Sequence, residues 1–169
     1  GRFGDWLLEY WYDPDTGKAH FAYRDPEGKV DEAPDLLIDG LRIKPTIPDD
    51  KMILRGAINF PSGLARRADG SIDRRSTSQL TSDIAFVLKK NYFFRDNKWA
   101  VLSAYWILGT WLYDNFKTLV YLRFVGDAGA GKSALLNLIG LMSYRSIKMS
   151  GADSEATFFR TVDSFRGTI

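Results

Sequence analysis

The pattern of apolar and polar positions changes character several times along this chain. Residues 5–47 carry short apolar and aromatic runs broken by turn sequences. Trp6–Tyr12 and Ala19–Tyr23 flank Asp13-Pro14-Asp15-Thr16-Gly17, with proline early and glycine late, and Asp25-Pro26-Glu27-Gly28 leads on to Lys29-Val30. Runs bounded in this way fold as antiparallel strands. With Leu36–Ile43, an apolar run interrupted by Asp39-Gly40, they predict a small β-rich region of three to five strands over residues 1–50. Residues 51–75 lose periodicity; with Pro45 and Pro48 just before them, they hold Pro61, three glycines and the pairs Arg66-Arg67 and Arg74-Arg75, the composition of a linker or loop.

A helical segment is predicted over residues 76–117. Ser76-Thr77-Ser78-Gln79 has capping-box spacing, and Leu80, Ile84, Val87 and Leu88 then share one helix face. Asp96 or Asn97 caps a second helix, apolar all round from Trp99 to Tyr113, the pattern of a helix buried between layers. From residue 118 the pattern alternates. Leu119–Val125 reads as a strand, followed by a glycine loop and a helix from Lys132 to about Leu141. Ser146–Met149 reads as a short strand, Ser154–Phe165 as a helix, and Thr168-Ile169 as the opening of another strand. That order predicts an α/β fold for residues 118–169: the first part of a parallel sheet flanked by helices, as in a P-loop NTPase.

Composition narrows the chemistry. Of 169 residues, 45% are hydrophobic and 26% charged, which suits a packed core. Aromatic residues concentrate at 3–23 and 92–116, so two hydrophobic clusters are expected. There is no cysteine and one histidine, His20, which excludes disulfides, zinc–thiolate sites, thiol catalysis and histidine triads from this chain and suits a reducing cytoplasm. Residues 1–75 hold 12 Lys/Arg against 14 Asp/Glu, residues 76–169 hold 11 against 7, and a basic second half fits a phosphate-handling domain. Gly1-Arg2-Phe3-Gly4-Asp5 has no apolar signal core, and the run Trp99–Tyr113 is 15 residues, against roughly 20 for a membrane span. A cytoplasmic chain without membrane contact is expected. It opens without Met and stops where an apolar strand is starting, so it reads as a piece of a longer protein.

The chemistry resides in Gly126-Asp127-Ala128-Gly129-Ala130-Gly131-Lys132-Ser133, a match to G-x-x-x-x-G-K-[ST] set between a predicted strand and a predicted helix. Glycines let the backbone curl so that successive N–H groups face phosphate oxygens, and the helix N-terminus adds its dipole. Lys132, the one catalytic candidate, offers a compact cation to the β- and γ-phosphates. Ser133 offers a hydroxyl to magnesium, and Gly126 through Ala134 form the binding segment for ATP or GTP. Hydrolysis needs a carboxylate at the end of another strand. None is in place: Asp127, Asp153 and Glu155 read as helix-capping or solvent-exposed groups, so weak binding with negligible turnover is expected of these residues alone. Arg66, Arg67, Arg74 and Arg75 are candidates for gripping a DNA backbone, and Trp11, Tyr12, Phe21 and Tyr23 for stacking on bases. Solvated loop charge and a self-packed hairpin explain the same residues. His20 shows no partner, and Lys89-Lys90 complement a helix C-terminus.

Residues 106–169 also resemble a family. Gly109–Phe116, Tyr121–Gly126 and Ala156–Arg160, taken with the loop, are similar to the AAA+-like P-loop ATPases of phages, plasmids and other mobile elements, of the replicative helicase or primase–helicase type. The resemblance implies an ATP-driven motor on DNA, assembled as a homo-oligomeric ring. It also implies that the catalytic carboxylates, arginine finger and sensor residues follow Ile169. A nucleotide-dependent switch or assembly ATPase acting on protein, without DNA contact, is the competing expectation.

Overall fold

The computed structural model describes residues 1–13, 15–45, 63–149, 151, 153–165 and 167–169. Among these, residues 1–45 and 63–74 belong to one compact unit and residues 75–169 to another. Part of the expected linker, residues 51–62, lies outside the described residues.

The first unit is built on a four-stranded antiparallel sheet in sequence order: β1 (Arg2–Phe3), β2 (Trp6–Asp13), β3 (Lys18–Arg24) and β4 (Val30–Ala33). The β2–β3 connection is closed by Asp13. Its carboxylate accepts hydrogen bonds from the Asp15 N–H at 2.9 Å and the Thr16 hydroxyl at 2.6 Å, while the Gly17 N–H reaches the Asp13 carbonyl at 2.8 Å. The Thr16 hydroxyl, then the backbone N–H groups, hold the Asp13 carboxyl below the usual carboxylate range. Gly17 takes a φ of +66°, open to glycine at little cost.

β5 (Leu36–Ile38) and β6 (Leu41–Ile43) form a separate hairpin across Asp39-Gly40. Both turn residues have positive φ, as a two-residue turn that matches strand twist requires. Leu36 and Ile38 are buried with Phe21, and Trp6, Leu8, Tyr10, Tyr23, Ala33 and Ile43 pack around them. The opposite face of the sheet carries Trp11 against His20, and Glu32, whose carboxylate accepts from the Leu64 N–H at 2.7 Å.

In the second unit, α1 (Thr77–Asn91) starts with the expected capping box. The Gln79 N–H donates to Ser76 Oγ and the Gln79 side chain accepts from the Ser76 N–H. α2 (Lys98–Trp111) starts beside Asp96, which accepts from the Lys98 N–H at 2.9 Å. The Lys98 ammonium, then that N–H, hold the Asp96 carboxyl below its ordinary value. α2 is not enclosed on all sides: Ala100, Ser103, Ala104, Ile107 and Thr110 are buried, whereas Trp99, Leu102 and Tyr105 are each more than half exposed. α3 (Lys132–Met142) and α4 (Glu155–Phe165) follow. Leu88, Ala100, Ile107, Leu135 and Ile139 form the core, with Tyr92, Phe94, Trp106, Leu122 and Phe124 packed against it.

The expected α/β fold of P-loop NTPase type over residues 118–169, with its parallel sheet, is overturned. The sheets present are the antiparallel four-stranded one and the β5–β6 pair, and no parallel sheet occurs among the described residues. Leu119–Val125, read as a strand, joins no ladder. Ser146–Met149, also read as a strand, holds a single bridge residue, Ile147. The physical reason is the lack of a paired neighbour among the described residues. A strand exists through a partner's backbone, and the polar groups near Ile147 are instead met by Thr168, whose N–H donates to the Tyr144 carbonyl at 3.0 Å and whose carbonyl accepts from Ile147 at 2.7 Å. Two such bonds fall short of a ladder. This segment passes close: a Cβ on Gly167 would overlap the Arg145 carbonyl oxygen.

Candidate functional site: the glycine loop before α3

The loop Gly126–Gly131 is shaped by its glycines. Gly129 and Gly131 hold φ values of +81° and +74°, a region residues with a Cβ enter only at a cost. Gly131 is the N-cap of α3 and brings no capping side chain, so the helix's first N–H groups are left for another partner. The Ala130 N–H closes a turn on the Asp127 carbonyl at 3.3 Å, and the Leu135 N–H begins the helix on the Gly131 carbonyl.

Lys132 folds back across this loop. Its Nζ donates to the carbonyl of Gly126 at 2.8 Å and to that of Asp127 at 2.6 Å. The ammonium is therefore bonded to the loop backbone at an exposed position, five and six residues back along the chain from its own. Gly126, Asp127, Ala128, Gly129 and Ala130 are exposed, as are Ser133 and Ala134 on the first turn of α3. Curled backbone, an uncapped helix start, one cation and one hydroxyl are thus within a single nine-residue segment. These groups fit a polyphosphate with magnesium: the amides and Lys132 for phosphate oxygens, Ser133 for the metal.

The loop has a neighbour that the sequence did not announce. Tyr92, just past α1, donates its hydroxyl to the Ala130 carbonyl at 3.0 Å, and its ring lies 3.2 Å from where a Cβ on Gly131 would stand. Its aromatic cluster was visible in the sequence, but nothing linked Tyr92 to a loop 38 residues away.

The other candidates are dispersed. Asp153 and Glu155 lie at the start of α4, exposed, with Ser154 Oγ accepting from the Thr157 N–H. No group of three His, Asp or Glu side chains able to hold a metal occurs among the described residues. Arg66 pairs with Glu32 at 3.3 Å, Arg67 with Asp73 at 3.4 Å and Arg75 with Asp83 at 2.6 Å; Arg74 is exposed.

Tyr12 and Phe21 are buried, and Trp6 packs on Tyr23. His20, read as partnerless, stacks on Trp11 with ring centroids 4.8 Å apart. Lys89 and Lys90 occupy the last turn of α1, where cations complement the helix dipole. Among the described residues no helix is long and apolar enough to cross a membrane. No family model matches the chain, and no curated protein or solved structure matches it either.

Proposed function

We propose that Gly126–Ala134 bind the phosphates of a magnesium nucleoside triphosphate, ATP in the first instance. The observation that carries this reading is the Lys132 ammonium folded onto the carbonyls of Gly126 and Asp127, inside a loop whose left-handed glycines lead into an uncapped helix. Bound nucleotide supplies the phosphate charge; Lys132 answers it with a cation already in place, the loop and first-turn N–H groups donate to it, and Ser133 helps hold magnesium.

Calorimetry tests this with magnesium-ATP, magnesium-GTP and Lys132→Ala. Binding heat is expected for the unaltered chain and is lost when magnesium is chelated. Affinity falls by about ten- to a hundredfold in the variant, the value of one or two charge-assisted hydrogen bonds. No heat from either nucleotide, or unchanged affinity in Lys132→Ala, overturns the reading.

For the activity of the protein we propose ATP-driven work on DNA in a ring of subunits, a reading supported by the resemblance of residues 106–169 to mobile-element replication ATPases. A second reading, a switch or assembly ATPase acting on protein, is favoured by the arginines, since Arg66, Arg67 and Arg75 are each engaged with a carboxylate. Such exposed pairs are worth about 0–1 kcal/mol, and a DNA backbone would have to displace them before the arginines could grip it. Stimulation of ATP turnover by single- or double-stranded DNA separates the two: its absence defeats the DNA reading.

A further inference from the structure

We infer that Tyr92 is a positioning residue for phosphate binding, setting the direction of the Gly131 N–H from outside the loop. This rests on the nucleotide reading above and adds to it a residue that no loop motif contains. The 130–131 peptide is trans, because the described residues include no cis peptide bond. In a trans peptide the carbonyl and the following N–H point in opposite directions. Tyr92 Oη donates to the Ala130 carbonyl at 3.0 Å, so that carbonyl is drawn toward Tyr92 and the Gly131 N–H is turned the other way, off the Tyr92 side of the loop. Without the hydroxyl, the peptide can flip and offer a carbonyl oxygen where a phosphate needs a donor. Flips of this kind are open to it because Gly131, lacking a Cβ, is conformationally permissive.

Tyr92 is well placed to hold such a bond. Its N–H caps α1 on the Leu88 carbonyl at 2.9 Å, and Leu88 is fully buried. Its ring packs edge-on to Phe94 with centroids 5.1 Å apart, and both rings lie against the core of the helical unit. The ring also occupies the space beside Gly131, so any side chain at 131 meets it at 3.2 Å. The core therefore reaches the loop through one hydroxyl and one ring edge.

Tyr92→Phe removes the hydroxyl and keeps the ring. Affinities for inorganic pyrophosphate and for magnesium-ATP are measured by calorimetry on unaltered protein, Tyr92→Phe and Lys132→Ala, with the unfolding midpoint of each. Tyr92→Phe is expected to weaken both ligands by the same factor, about three- to tenfold, the value of one neutral hydrogen bond. It leaves the ligand-free midpoint within the scatter of repeated measurements. Equal affinity in Tyr92→Phe and unaltered protein, with Lys132→Ala still impaired, overturns the inference and leaves the nucleotide reading standing. A loss for ATP with none for pyrophosphate also overturns it, since that places Tyr92 at the base or ribose. If the unaltered protein binds neither ligand, both readings fall together.

Discussion

Along β1 to β4 each strand finds its neighbour across a tight turn, whereas Leu119–Val125, equally apolar, pairs with no strand among the described residues. In the first case four residues separate Asp13 from its partner Lys18, and the loop costs little entropy to close. In the second, a parallel neighbour needs a crossover of a dozen or more residues and must be paired over several positions before the ladder contributes. The helical unit uses the segment differently. Leu122 and Phe124 pack inward, the Trp106 indole N–H donates to the Val120 carbonyl at 2.8 Å, and Tyr121 and Val125 stand 100% and 82% exposed. The glycine loop is therefore attached to an unpaired segment at one end and to α3 at the other. Its order comes from the helical side: from α3 itself, from Lys132 and from Tyr92.

Core truncations sharpen that contrast most. Phe21, 5% exposed, is the centre of the strand-rich cluster, and Phe21→Ala should cost about 3–5 kcal/mol. Ile107, fully buried in the helical core, should cost about 2–5 kcal/mol as Ala. Denaturant unfolding of each variant measures the loss. If Ile107→Ala costs less than about 1 kcal/mol, the helical unit is a loosely packed cluster, and its burial overstates its order.

The parts of this architecture that were legible in the sequence are those fixed by local chemistry. The turn at Asp13–Gly17, the capping box at Ser76-Gln79 and the helix beginning at Lys132 each depend on residues within a few positions of one another. So does the loop itself, whose glycines at 129 and 131 take the left-handed φ that a curled backbone needs. Asp39-Gly40 reads as an interruption of one apolar run, although Asp-Gly between apolar runs is a strong hairpin signal; β5 and β6 pair across it. What misled was alternation without a partner. Leu119–Val125 and Ser146–Met149 have the composition of strands, but a pattern specifies a face and not a neighbour. The contact between distant positions, Tyr92 with Ala130, left no trace in periodicity at all.

A smaller effect is expected where Gly167 passes Arg145. Arg145 is buried and holds a φ of +41°, and a methyl group at 167 would overlap its carbonyl oxygen. Gly167→Ala should cost about 1–3 kcal/mol through forced displacement of backbone. Amide protection at Ile147 and Thr168, the pair bonded across this crossing, should fall with it. Gly151→Ala is the control, because nothing lies within 4 Å of the added carbon. Equal effects from the two would mean that the crossing is not held closely in solution, and that the helical unit lacks even this fragment of backbone pairing.

The smallest effect separates the two ends of α1. Ser76→Ala removes both the acceptor for the Gln79 N–H and a donor to the Gln79 side chain, a loss of about 1 kcal/mol at the cap. Fraying there is confined to the first turn of a 15-residue helix, whereas Tyr92 lies beyond its other end. Ser76→Ala should therefore lower stability slightly while pyrophosphate affinity stays unchanged, the reverse of what Tyr92→Phe should do. If Ser76→Ala weakens pyrophosphate as much as Tyr92→Phe does, the loop is ordered by the helix as a whole. The hydroxyl of Tyr92 would then be a bystander, and the contrast between a self-closed sheet and a loop held by the side chains of Lys132 and Tyr92 would no longer stand.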